Sequence, residues 1–156
     1  MKEEEIKPLT ISIKITNISL GSFKVAVIDE EQKKNIDNKK FVYEFIISFN
    51  LEPNTNSIKL TSIIKIYLDQ SKDLYLGEIE STGIFELENY AEIIKEHNGL
   101  PNIIITTFGG VLISTTRGFL ILKSKDTIVD GALVPLVNTN ELFNPFLTKE
   151  VKKNAS

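Results

Sequence analysis

FVYEFIISFNLEPNTNSIKLTSIIKIYL, residues 41–68, decides the fold class. Phe41, Tyr43, Phe45, Ile47, Phe49 and Leu51 take the odd positions of its first half. Ile58, Leu60, Ile64, Ile66 and Leu68 repeat the same period in its second half. A period of two puts one apolar row on one face of an extended chain. Glu52-Pro53-Asn54-Thr55-Asn56-Ser57, between the halves, has the composition of a turn. The stretch predicts an antiparallel hairpin with one buried face.

Strand material continues on both sides. Upstream, Leu9, Ile11, Ile13 and Ile15 alternate with polar residues, which predicts a first strand over residues 9–16. Phe23 to Ile28 reads as a further extended piece at the sheet edge. DEEQKKNIDNKK, residues 29–40, is charged and nearly free of apolar residues, so it reads as an exposed excursion. Downstream, a polar turn at residues 69–73 leads to a fourth strand near Leu74–Ile79. GEIESTGIFELEN, residues 77–89, reads as the end of that strand running into a turn. Glu78, Glu80, Glu86 and Glu88 there surround an apolar Gly83-Ile84-Phe85 step, as solubilising acids or as a docking surface.

The pattern then changes. Asn89 with Glu92 three residues on forms a capping box, and Gly99 is a stop, so a short helix is expected between them. From Asn102, Ile104, Phe108, Val111, Leu112 and Thr115 recur at helical spacing. Gly109 and Gly110 each cost such a helix about 1 kcal/mol relative to Ala, so packing must hold it. Residues 123–127 read as a polar loop. Leu133 to Val137 is apolar but carries Pro135, which excludes a central strand. Asn138 with Glu141 is a second capping box, Asn144-Pro145 restarts a helix, and a basic tail follows from Lys149.

Composition narrows the chemistry. The length suits one domain, here taken as residues 1–156, able to bury about 70% of its unfolded surface. With no cysteine there are no disulfides, thiolate metal sites or cysteine nucleophiles, and a reducing cytoplasm is the expected compartment. One histidine, His97, excludes a histidine metal cluster, and it sits where it would meet a helix C-terminus. The acidic start has no apolar run behind it and does not read as a secretory signal. Polar residues break every apolar stretch, so no membrane span is expected. A net charge of −3 argues against nucleic acid. Residues 69–96 hold eight acids against two lysines. Phosphate-loop and GxSxG motifs are absent. Arg117, the sole arginine, could take an anion, although surface or carbonyl-capping service is the simpler reading.

The order of elements carries a resemblance. Tyr75-Leu76-Gly77-Glu78-Ile79-Glu80-Ser81-Thr82-Gly83-Ile84-Phe85 precedes a short helix. Leu100-Pro101-Asn102-Ile103 opens a longer one, followed by Arg117-Gly118, Leu133-Val134-Pro135-Leu136-Val137-Asn138 and Glu141-Leu142-Phe143. Over residues 9–143 this resembles the bacterial protein-export chaperone SecB and its SecB-like relatives. The resemblance implies an α+β fold, with a four-stranded antiparallel sheet carrying two or three helices on one side. It implies a dimer of dimers with the long helix at the subunit interface, where Phe108, Gly109, Gly110, Leu112 and Ile113 are the candidates. It implies no enzyme activity and no cofactor. It implies ATP-independent holding of unfolded preproteins in hydrophobic grooves and delivery to the translocase motor SecA.

Leu76 and Glu78 fall on the family's SecA-contact positions. The family's acids late in the first strand fall on Asn17 and Gly21, which carry no charge, and this departs from the SecA-binding pattern. Groove candidates are Phe23, Val25 and Val27, then Phe119, Leu120 and Leu122, with Leu133, Val134 and Leu136 lining or covering. Two other classes fit the same pattern. One is a dedicated adaptor of the antitoxin-linked SecB-like kind. The other is a hot-dog acyl-thioester enzyme, against which the uncharged helix from Asn102 to Thr116 offers no catalytic acid.

Overall fold

The computed structural model describes residues 11–34, 36, 40–52, 54–68 and 74–147. Leu9, the turn at residues 69–73 and the basic tail lie outside the described residues. The element order is β1 (Ile13–Val25), α1 (Glu30–Lys34), β2 (Phe41–Glu52), β3 (Ser57–Leu68), β4 (Leu74–Leu87), α2 (Tyr90–His97), α3 (Asn102–Lys123) and α4 (Thr139–Leu142). A single 3-10 turn, Asn144–Phe146, follows where a helix restart was expected. The four strands form one antiparallel sheet in the order β1-β4-β3-β2. The class is α+β, as expected.

The hairpin of residues 41–68 pairs without a break from Phe41 opposite Leu68 to Glu52 opposite Ser57. Its odd-numbered β2 residues and even-numbered β3 residues share one face, because directly opposed residues point the same way. On that face Ile58, Leu60, Ile64 and Ile66 are fully buried. α3 lies across it. Nine of its residues are buried, among them Ile104, Phe108, Leu112, Thr116 and Leu120. The stripe is turned slightly from the expected one, so that Thr116 rather than Thr115 faces the sheet. Phe108 stacks on Phe85 of β4 with ring centroids 4.2 Å apart, a contact of the kind that contributes about 0.5–1.5 kcal/mol beyond burial. α3 is long and apolar enough to cross a membrane by length and composition. Its buried stripe packs on the sheet, while Ile103, Ile121 and Leu122 remain exposed.

Two elements depart from expectation. β4 does not end at Ile79; it runs through Gly83-Ile84-Phe85 to Leu87 as an inner strand. β1 joins the two extended pieces expected separately into one edge strand. Register shifts between Ile15 and Asn17 and between Leu20 and Ser22 leave Thr16 and Gly21 as extra residues. Each extra residue advances the pleat by one. Ile13 and Ile15, then Ile18 and Leu20, then Phe23 and Val25 therefore all share the helix-covered face, opposite Leu87, Phe85, Gly83, Ser81, Ile79 and Gly77.

The core has two ends. One gathers Leu60, Phe85, Phe108, Leu112 and Phe143; the other gathers Ile64, Ile66, Leu76, Ile79, Leu120 and Val134. Ile36, within the charged excursion, is buried in the second. Between them lies a small polar layer. Ser62 and Ser81 are cross-strand partners, and Ser81 hydrogen-bonds the Thr116 hydroxyl of α3. The Thr116 hydroxyl also donates to the Leu112 carbonyl at 2.7 Å. Ser62 Oγ is buried without a partner.

Of the two expected capping boxes, the second is a simple N-cap: Asn138 accepts from the Asn140 N–H at 3.0 Å rather than from Glu141. Asn89 does not. It adopts a left-handed conformation, φ 59°, with no side-chain cap.

Candidate functional site

Among the described residues, one face of the sheet is left uncovered. Alternation along β4 puts Glu78, Glu80, Thr82, Ile84 and Glu86 there. Register sets Lys24 and Lys65 on either side of Glu78, and Glu44 beyond Lys65. Lys24, Glu78, Lys65 and Glu44 thus form one row of alternating sign across all four strands. Lys24 Nζ lies 3.5 Å from Glu78 Oε1. The Tyr75 hydroxyl donates to Glu78 Oε2 at 2.9 Å. Burial, and then the hydrogen bond and charge of Glu78, push the Tyr75 phenol up to about 12. Tyr67 meets Tyr75 edge-on at 5.8 Å. Of the acids around Gly83-Ile84-Phe85, Glu78, Glu80 and Glu86 are on the solvated side of β4, and Glu78 is paired with Lys24. Opposite-charge pairs of this kind each stabilise by about 0.2–1 kcal/mol.

This arrangement separates the two SecA-contact candidates. Glu78 is on the uncovered face but already engaged. Leu76 is fully buried in the core. It is the extra residue of a bulge, since Ile66 pairs with Gly77 and Tyr67 with Tyr75. Buried in this way it offers no surface to a partner, and the expectation of contact through Leu76 is corrected accordingly.

The second surface lies on the helix side. Between α3 and α4 an open cavity of about 670 Å³ is lined by Ile103, Thr107, Gly110, Val111, Ser114 and Thr139. A smaller one, about 70 Å³, shares Gly110, Ser114 and Thr139 with it and extends to Arg117, Pro135 and Leu136. Around Leu136, Asn138 and Glu141 is another of about 440 Å³. Ile121 and Leu133 line a further one of about 230 Å³. Large apolar side chains stand out of this side: Ile103 is 59% exposed, Leu122 70% and Leu136 88%.

The groove candidates divide on this map. Leu122, Leu133 and Leu136 are exposed, and Val27 is fully so. Phe23, Val25 and Phe119 are half-buried and pack against the second end of the core. Leu120 and Val134 have no exposed surface and are core residues, which corrects their assignment to a groove. The interface candidates are likewise consumed within the chain. Phe108, Leu112 and Ile113 are buried against the sheet, and Gly109 packs on the Phe143 ring. Gly110 alone among them reaches the surface, at the mouth of the α3–α4 cavity.

Sequence reading missed Ile103 and Ile121 as exposed apolar residues. The signal was present: Ile103, Thr107, Gly110, Ser114, Gly118 and Ile121 recur at helical spacing on the side opposite the buried stripe. A solvated helix face ordinarily carries charge. Among the described residues no group of histidine, cysteine and carboxylate side chains could hold a metal ion.

Comparison with solved structures places this geometry. The chain superposes on the Mycobacterium tuberculosis SecB-like chaperone Rv1957, solved with a ChAD peptide from the HigA1 antitoxin, with a TM-score of 0.53. The match covers 80% of this chain and 90% of that one at 12% identity. The fold is SecB-like. A Streptococcus agalactiae protein of unknown function aligns over 82% of this chain and all of its own, at 6% identity and a TM-score of 0.45. No family model and no curated protein sequence matches.

Proposed function

We propose that this protein is a holding chaperone, without enzyme activity or ATP, that binds extended unfolded segments of other polypeptides. The observation that carries the proposal is the helix side of a SecB-like fold, where Ile103, Leu133 and Leu136 stand exposed around open cavities and Leu122 stands exposed on α3. Burial of apolar surface is non-directional, so such a surface takes chain of varied sequence. The acidic balance keeps a protein with this much exposed apolar surface in solution.

Delivery to SecA has weaker support than holding. Leu76 is buried, Glu78 is engaged by Lys24 and Tyr75, and Asn17 and Gly21 carry no charge. A second reading is therefore a dedicated adaptor with one client. The peptide-bound state of the mycobacterial neighbour favours it.

The test is aggregation of a slow-refolding protein diluted from denaturant with this protein present and no ATP, monitored by light scattering. The mass of the protein is measured on the same sample. Suppression across several unrelated clients supports a general holder, and suppression for a single client supports the adaptor. No suppression by a folded sample would overturn the holding function.

A further inference from the structure

Asn98-Gly99 is the chain's one Asn-Gly pair, and it ends α2. Asn98 is the C-cap, in the left-handed region at φ 52° and ψ 40°, and its N–H donates to the Ile94 carbonyl. The Gly99 N–H donates to the same carbonyl at 3.0 Å. The stop expected at Gly99 is thus made by two residues together. Asparagine suits the place because its short polar side chain tolerates the left-handed region. Asn98 is exposed to solvent.

The pair also carries chemistry. The backbone nitrogen of the residue after an asparagine can attack the side-chain Cγ, which is one reason asparagine is a thermolabile residue. Glycine, with no Cβ, hinders that attack least. Here the Gly99 nitrogen would form a bond to Asn98 Cγ and give its proton to solvent base. The bond from Cγ to the amide nitrogen breaks, ammonia leaves, and a succinimide ring closes. Water then opens the ring at one carbonyl or the other. The product is aspartate, or isoaspartate with the backbone rerouted through the side chain. In the folded protein the attacking nitrogen is engaged with Ile94, so the last turn of α2 must open before the reaction starts. Helix ends open at modest cost.

We propose that Asn98 is a site of spontaneous deamidation, gated by the hydrogen bond from Gly99 to Ile94, and that its conversion loosens α2. The reaction consumes only water. Its product places a full negative charge where the unmet carbonyls of the helix end are already negative. Isoaspartate also adds a carbon to the backbone at the cap. α2 holds Tyr90 and Ile93 in the same end of the core as Leu100, Phe85 and Phe108, so a loosened cap is felt there. Conversion is irreversible and accumulates with the age of the chain. Asn56 is the comparison: it shares the left-handed conformation, φ 54°, but precedes Ser57, whose side chain hinders attack.

The experiment holds the full chain in mildly alkaline buffer at physiological temperature, folded and in guanidinium chloride. Samples taken over time are mapped by mass spectrometry. A lysine-specific protease releases residues 96–123, and fragment ions separate Asn98 from Asn102. Asn98 is expected to convert ahead of Asn56 and every other asparagine, about tenfold faster in denaturant than in the fold. Asn98→Gly, which suits a left-handed cap, should abolish conversion there and melt no lower than wild type. Asn98→Asp should melt below wild type. Conversion of another asparagine first would overturn the site. So would an intact Asn98 in the folded sample after the denatured sample has been consumed. Equal rates in fold and denaturant would overturn the gate, and Asn98→Asp melting with wild type would overturn the loosening. The wild-type time course decides the site and the gate even if a variant fails to fold.

Discussion

The ring of Phe143 occupies the space that a side chain on Gly109 would need. Phe143 has no exposed surface, so it cannot swing aside. This contact draws the chain after α4 onto α3 and closes one end of the core. Gly109→Ala should therefore destabilise the fold, because overpacking at about 1–3 kcal/mol exceeds the helix-propensity gain of about 1 kcal/mol. Gly110 is the control. A Cβ there meets only Thr139 Cγ2 at 3.6 Å, an ordinary contact. Gly110→Ala should stabilise by about 0.5–1 kcal/mol. Urea denaturation of the two variants reads the opposite signs.

The polar layer makes a second pair of opposed expectations. Ser62→Ala removes a buried hydroxyl that has no partner and should be neutral or stabilising by about 1 kcal/mol. Thr116→Val removes the partner of Ser81 and leaves that hydroxyl buried alone. It should cost about 1–3 kcal/mol. Equal effects of the two would contradict the hydrogen bond between Ser81 and Thr116.

Exposure separates residues that lie two apart on α3. Leu122→Ser should leave thermal stability nearly unchanged and reduce suppression of aggregation. Leu120→Ser should unfold the protein or cost it several kcal/mol, as losses of a fully buried leucine do. If Leu122→Ser and Leu136→Ser together leave holding intact, client binds elsewhere.

Alkaline pH probes the uncovered sheet face. The Tyr75 phenol is raised from 10 to about 12 in the folded protein. Folding therefore favours the protonated phenol. Its contribution is complete below pH 10 and is lost as pH rises through about 12. Phenolate absorbance should show Tyr75 titrating late in wild type. Glu78→Gln should bring that step to lower pH by removing the neighbouring charge. An unchanged titration would mean that Glu78 does not hold the Tyr75 proton.

Much of the fold was legible because β2 and β3, 12 residues each, keep a period of two broken only at Ser62, with no bulge between them. β4 was read too short for a physical reason. Its inward positions from 77 to 87 are Gly, Ile, Ser, Gly, Phe and Leu. Half are small, since close packing of β1, the polar layer and α3 leaves no room for more, so the alternation disappears. A side chain on Gly77, for example, would run into the Lys24 carbonyl. β1 was split because its two extra residues switch the parity of the apolar row twice. At the candidate site, Leu122, Leu133 and Leu136 were legible as apolar residues near the long helix. What was not legible was which apolar residue faces out. Leu120 and Leu122 differ by about 200° around α3, and only the position of the sheet decides between them.

The hydrogen bond between Ser81 and Thr116 also acts as a stop for α3. The stripe that α3 lays on the sheet is otherwise Ile, Leu and Phe, and greasy surfaces slide over one another at little cost. One turn of travel, about 5.4 Å, would bring Leu112 or Leu120 onto the serines and push Thr116 among isoleucines. Each step in either direction strands hydroxyls in hydrocarbon. Together with the Phe143 ring seated on Gly109 and the stack of Phe108 on Phe85, that bond holds α3 at one setting.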